Sequence, residues 1–123
     1  MTSTGSRQFP RSHRLLRPAE FKPLFDNPQW RASSQHFLLL VSENRLAAAR
    51  LGIVIGKRRV KRAVDRNLLR RLMRESFRHL GPELVGLDIV ILVRANMDHP
   101  DKSAVTAELG KVWSKLLAKR AAD

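Results

Sequence analysis

The residues best suited to chemistry lie in one stretch, GKRRVKRAVDRNLLRRLMRESFRHLGP, residues 56–82. Between Lys57 and Arg78 it carries ten lysines and arginines against two acids, Asp65 and Glu75. At about 100° per residue, Arg62, Arg66, Arg70, Arg74 and Arg78 drift slowly along one side of a helix. Asn67 and Arg71 fall in the same half-circle, while Val64, Leu68, Leu69, Leu72, Met73 and Ser76 take the other half. Like charges four residues apart destabilise an isolated helix by a few tenths of a kcal/mol per pair. An ordinary solvated face alternates signs, and here only Glu75 is placed to bridge Arg71 and His79. Guanidinium groups match phosphate oxygens in a bidentate fork, so the face reads as a phosphate-binding surface. A plain solvated face is one competing reading and an amphipathic membrane helix the other. The membrane reading wants large apolar residues on a face free of packing duties, whereas this apolar half is needed to cover a sheet.

Other candidate chemistries are weaker. MDHPD brings Asp98, His99 and Asp101 together, but Asp and Pro at those spacings make a turn and a helix cap. GIVIGK lacks the spacing, and the Ser or Thr after the lysine, of a phosphate-cradling loop. His36 has no visible partner triad and reads as a cleft or surface residue. With no cysteine in the chain, a disulfide framework and a thiolate metal site are excluded. No catalytic residue and no metal ligand is assigned to the chain.

Charge and length point the same way. The 123 residues carry 24 basic and 11 acidic side chains, a net charge of +13. Self-repulsion of that size is explained by a polyanionic partner, nucleic acid first and an anionic membrane second. A hydrophobic content of 43% suits one domain with one core. The apolar runs FLLLV and IVILV are far short of the roughly 20 residues that span a bilayer. The N-terminal segment lacks the apolar centre of a secretory signal. A cytoplasmic protein without a membrane role is expected.

The elements that must position the basic stretch follow from pattern. Residues 1–14 read as a flexible basic arm and residues 15–123 as a single α/β domain. RPAEFKPLFDNP predicts a short helix opening near Pro18, interrupted by Pro23, with Phe21, Leu24 and Phe25 on one face. SSQHFLLLVS and RLGIVIG predict strands about a polar turn at ENR, and DIVILVR a buried strand. The glycine and proline of LGP end the basic helix. Val105, Leu109, Val112, Trp113, Leu116 and Leu117 recur at helical spacing in the last segment. The order helix–strands–helix–strand–helix gives an α+β fold, a two-layer α/β sandwich.

In KRRVKRAVDRNLLRRLMRESFR the sequence resembles the protein subunit of bacterial ribonuclease P. That family carries an Arg-Asn-Arg signature in a basic helix. Arg66 and Asn67 match its first two positions, Arg70, Arg71 and Arg74 the basic positions after it, and Glu75, Ser76 and Phe77 its tail. RLLRPAEFKPLF, RLGIVIGKRRVKRAVDRN, DIVILVR and the Trp113 segment resemble further parts of the family pattern, so the resemblance spans most of the chain. Position 68 departs from it: a leucine stands where the family has the second signature arginine. On the wheel Leu68 lies toward the edge of the apolar half, where it extends the packed face, and Arg71 is near enough to compensate in part.

The resemblance implies a fold with a left-handed strand–helix–strand crossover and a role as accessory subunit of a ribonucleoprotein endoribonuclease. In that family a catalytic RNA holds the active site and its Mg2+ ions, and 5′ leaders are removed from precursor tRNA to leave 5′ phosphates. The implied partners are one catalytic RNA subunit, expected 1:1, and precursor tRNA, with no obligate protein partner and no cofactor on the protein itself. The implied RNA contacts are Lys57, Arg58, Arg59, Arg62, Arg66, Asn67, Arg70, Arg71 and Arg74. The implied cleft for the single-stranded leader involves Phe21, Phe25, His36 and Val54, although core packing at i, i+4 explains the two phenylalanines equally well. Gly52 and Gly56 admit two explanations, close approach of nucleic acid or tight packing and turns. A structural RNA-binding protein of the ribosomal kind is the alternative function.

Overall fold

The computed structural model describes residues 13–123, with side chains from Leu15 onward. The arm expected over residues 1–14 lies outside the described residues except at its end, where His13 and Arg14 already belong to a strand. In chain order the elements are β1 (His13–Leu15), α1 (Lys22–Asp26), β2 (Trp30–Ser33), β3 (Phe37–Glu43), β4 (Ala49–Val54), α2 (Ala63–Leu80), β5 (Leu87–Val93) and α3 (Lys102–Ala122). A single 3-10 turn, Pro18–Glu20, precedes α1, and another, Gly81–Leu84, follows α2.

The strands form one mixed sheet in the order β1-β4-β5-β3-β2. β4 is parallel to β1 and β5, while β3 is antiparallel to β5 and β2. A strand–helix–strand crossover, β4–α2–β5, joins parallel neighbours. Two-residue periodicity divides the sheet residues between two faces. Leu39, Val41, Leu51, Ile89 and Ile91 share one face and are fully buried under α2 and α3, together with Leu69, Met73, Phe77, Leu109, Val112 and Trp113. The rings of Phe77 and Trp113 meet at 6.4 Å in the seam between the two helices. A phenylalanine buried at such a seam typically contributes about 3–5 kcal/mol. Trp113 also donates its indole N–H to the Ser76 hydroxyl at 2.9 Å, which satisfies the one polar atom on that ring.

The opposite face carries a smaller cluster in which Leu16 and Leu24 cover Leu40 and Val90. The first helical segment thus adds a partial third layer to the expected sandwich. Pro23 is accommodated as expected: the backbone makes a 3-10 turn and then one short helix that has Pro23 in its first turn. α2 stops at Gly81, whose φ of 55° favours glycine, and Pro82 follows. Asp101 caps α3 by accepting the Ala104 N–H at 2.9 Å, so MDHPD acts as the turn and cap expected of it. Two strands were not visible in the pattern. β1 and β2 are short, and β2 reads WRAS, without the Val and Ile content that marks a strand. Among the described residues no helix is long and apolar enough to cross a membrane.

Candidate nucleic-acid interface

The segment between β4 and α2 folds as a tight basic loop. Gly56 accepts hydrogen bonds at its carbonyl from the N–H groups of Arg59 and Val60, both at 3.1 Å. Val60 is fully buried and plugs the loop into the core. Met97 donates its N–H to the Arg59 carbonyl at 2.8 Å, which ties the loop to the segment after β5. With the backbone fixed in this way, the side chains of Lys57, Arg58, Arg59, Lys61 and Arg62 are all exposed. Arg59 reaches Asn96 only at 3.4 Å, and Arg62 contacts the Nδ1 of His99 and lies 3.8 Å from Asp65.

Arg66, the first signature arginine, closes this loop from α2. Its guanidinium donates to the carbonyls of Val60 and Lys61 at 2.9 and 2.8 Å. Those carbonyls lie just ahead of the helix, so Arg66 fixes how the basic loop enters α2. Along the rest of the helix, Asn67, Arg71, Arg74 and Arg78 are exposed and Arg70 is half-buried. Arg70 makes one long contact to Asn67, at 3.4 Å. The side chains of Arg71, Arg74, Lys57 and Arg58 make no hydrogen bond or ion pair among the described residues. The bridge expected from Glu75 to Arg71 or His79 does not form; Glu75 enters none of the ion pairs among the described residues. Such a face concentrates positive potential, and among the described residues no ion pair engages Arg71 or Arg74.

Leu68 is half-buried and packs against the main core, which matches its expected place at the edge of the apolar half. Val64, one turn before it, is 58% exposed. Together with Asp65, Asn67 and Arg71 these side chains line a shallow depression on the flank of α2.

On the other face of the sheet, β4 presents Arg50, Gly52 and Val54 in a row toward the first helical segment. A Cβ on Gly52 would lie 2.5 Å from the Phe21 ring, so this glycine exists to receive that ring. Gly56 shows no such neighbour: a Cβ there would have nothing within 4 Å. Phe21 is half-buried beside Leu38, Val54 and Leu92, which are themselves only partly covered. Phe25 is 46% exposed. The two phenylalanines therefore divide the two roles left open for them, Phe21 toward packing and Phe25 toward solvent. Val54 lies two residues ahead of Gly56, so the open apolar surface runs directly into the basic loop.

Arg50 anchors this side. It makes a bidentate pair with Asp88, with bonds of 2.8 and 2.7 Å, and a further bond of 2.7 Å to Glu20. Its hydrogen bonds donated to Asp88 and the charges of both acids raise its pKa further, against the effect of burial. The Arg17 N–H, at 2.7 Å, and the Arg50 guanidinium hold Glu20 below the usual carboxylate range. Arg50 thus clamps the turn that carries Phe21 onto the sheet.

His36 does not join the group expected for the cleft. It precedes β3, and its Nδ1 lies 2.8 Å from a carboxylate oxygen of Glu108 on α3, the helix of the opposite layer. Glu108 also accepts the His36 N–H at 2.7 Å and the Ser34 hydroxyl. Burial works to raise the Glu108 pKa, but these hydrogen bonds outweigh it and leave the group lowered. The alternation that put His36 on the cleft face gives way to this long-range hydrogen-bonded contact. The structure brings Phe21 and Val54 together and adds Leu38 and Leu92. The i, i+2 alternation of FLLLV was enough to place Leu38 opposite Phe37 and Leu39. Arg50, Glu20 and Asp88 gave no local signal, because they meet from three separate elements. Among the described residues no group of three or more His, Asp or Glu is placed to hold a metal ion.

The comparisons with known proteins agree. A family model described as Ribonuclease P matches residues 9–117. The ribonuclease P protein component of Alcanivorax borkumensis is 46% identical over 114 residues, covering 93% of this chain and 94% of that protein. The component from Pseudomonas aeruginosa is 45% identical over 115 residues, covering 94% and 85%. Among solved structures, the RNase P protein of Thermotoga maritima superimposes with a TM-score of 0.69 at 27% identity, covering 81% of this chain and 94% of that one. The Staphylococcus aureus protein has the same fold, with a TM-score of 0.74 at 22% identity, covering 85% and 96%.

Proposed function

The chain belongs to the ribonuclease P protein family, and from that premise we propose how its surfaces divide the work of a tRNA-processing ribonucleoprotein. The partner is a catalytic RNA, taken up 1:1 by the basic loop and the exposed arginines of α2. The observation that carries this reading is the concentration of cations between Lys57 and Arg74, of which several have no side-chain partner among the described residues. The loop geometry set by Val60, Met97 and Arg66 presents that charge in one fixed arrangement, so little ordering is left for the moment of binding.

The open apolar surface around Phe21, Phe25, Val54, Leu38 and Leu92 takes the single-stranded 5′ leader of precursor tRNA. Stacking on an exposed ring such as Phe25 tolerates any base, which suits leaders of varied sequence. Because β4 leads from this surface into the basic loop, one strand of RNA can lie across both.

Phosphodiester hydrolysis is assigned to the RNA, whose bound Mg2+ would supply the activation of water. The protein neither positions a nucleophile nor holds a metal in this reading. It lowers the electrostatic cost of bringing two polyanions together, so it matters most where Mg2+ is scarce. The products carry a 5′ phosphate, and the site of action is the cytoplasm.

The test is cleavage of precursor tRNA by the catalytic RNA at low Mg2+, with and without this protein. Stimulation that depends on the leader is expected. No stimulation, or cleavage by the protein without the RNA, would contradict the proposal.

A further inference from the structure

α2 has a feature that phosphate binding does not explain. Val64 is 58% exposed on the flank of a helix whose other exposed positions include Asn67, Arg71, Arg74, Glu75 and Arg78. Leu68, one turn along, keeps part of its surface open while its remainder packs against the core. The two form an apolar strip at i, i+4 spacing. It lies in a depression of about 520 Å3 bordered by Asn67, Arg71 and Asp65.

We infer that this strip binds one unstacked nucleobase of the partner RNA, with the phosphate of the same nucleotide held by Arg71. The inference rests on the RNA-binding role proposed above and adds a base contact to it. Apart from Arg71, the walls of the depression favour a base over a phosphate. Val64 and Leu68 offer apolar surface to a flat ring. Asp65 is only 8% exposed, and its one described ion pair is the 3.8 Å approach of Arg62, so its negative charge opposes an anion in the depression. The Asn67 amide is exposed, and its described contact is a 3.4 Å bond accepted by its oxygen from Arg70. Its NH2 group therefore remains available to a base edge. Arg71 is exposed beside the depression without a described partner, which supplies the charge complementarity for the phosphate attached to that base.

The substitution at the signature position then has a chemical meaning. An arginine at position 68 would place a second cation in the depression, whereas leucine completes an apolar floor with Val64. One cation-to-phosphate contact is replaced by one base contact.

The test is equilibrium binding of the full chain to the catalytic RNA over a salt series, together with photo-crosslinking from position 64. Val64→Ala removes the equivalent of one to two methylenes at about 0.8 kcal/mol each, so affinity should fall roughly four- to fifteen-fold. The dependence of log K on log salt should stay unchanged, because no phosphate contact is lost. Val64 is exposed, so the thermal midpoint should not move, and a photoreactive residue at 64 should label one unpaired base. Wild-type affinity in Val64→Ala, or labelling of no base, overturns the inference. So does a Leu68→Arg variant that binds tighter with a steeper salt slope, since that would show the strip facing phosphate. If Arg71→Ala and Arg74→Ala are also silent, the RNA reading itself falls, and the base site with it.

Discussion

Arg50 and Arg71 are the same residue type on opposite faces of one domain, and they are used in opposite ways. Arg50 is surrounded by Asp88 and Glu20, makes three charge-assisted hydrogen bonds and sits against the sheet. Arg71 stands exposed on α2 with no such partner, in a row of like charges. The first is complete within the protein and serves the fold by fixing the turn ahead of Phe21. The second is incomplete without an outside anion. Arg66 lies between these cases: part of its guanidinium is committed to the Val60 and Lys61 carbonyls, yet it is still half-exposed at the end of the basic loop. Charge counting treats all three alike. Their partners separate structure from interface.

The sharpest way to break this comparison is to remove arginines from both faces. Arg71→Ala combined with Arg74→Ala should weaken binding to the catalytic RNA by about 10²-fold or more, taking roughly 1.5–3 kcal/mol per charge-assisted contact. The salt slope should fall by about 1.4–1.8 for the two contacts, while the thermal midpoint barely changes. Phe25→Ala tests the cleft, where a lost stacking contact costs about 1–3 kcal/mol. That loss should appear with leader-bearing precursor tRNA and disappear with leaderless tRNA. Arg50→Met should do the reverse of the α2 variants. It strands the Asp88 and Glu20 carboxylates, lowers the melting temperature by several degrees, and leaves the salt slope for the catalytic RNA as in the wild type.

The smallest expected effect concerns Glu108, whose pKa is held down by Ser34 and His36 against the effect of burial. A carboxylate with a depressed folded pKa contributes stability that is present above its unfolded value, near 4.5, and lost as pH falls through the folded value. Glu108→Gln should therefore be less stable than the wild type at pH 7, and the difference should shrink as the melts are taken below pH 4.5. An unchanged gap at acid pH would remove Glu108 from the account.

How far each face could be read from the sequence follows the same division. The α2 surface is written in local spacing, because i, i+4 neighbours on a helix are set by its geometry. Arg62 to Arg78 and the edge position of Leu68 were legible for that reason. β4, β5 and the end of α2 were marked by Val and Ile content and by Gly81–Pro82. Part of what was not legible depends on residues far apart in the chain. The Arg50 clamp joins positions 20, 50 and 88, and the Glu108 contact draws His36 away from the face that strand alternation assigned it. Arg66 gave no sign of its carbonyl contacts, since a signature arginine and a loop clasp look identical in one dimension. β1 and β2 escaped because three- and four-residue strands are too short to show a period.

The central claim is that the unpartnered arginines of α2 meet RNA phosphates while the partnered Arg50 does not. It is tested most directly by the salt dependence of catalytic-RNA binding, measured side by side for the wild type, the Arg71→Ala/Arg74→Ala pair and Arg50→Met. The account predicts a slope reduced by about 1.4–1.8 in the pair and unchanged in Arg50→Met. Equal slopes in all three proteins, or a reduced slope in Arg50→Met alone, would contradict it.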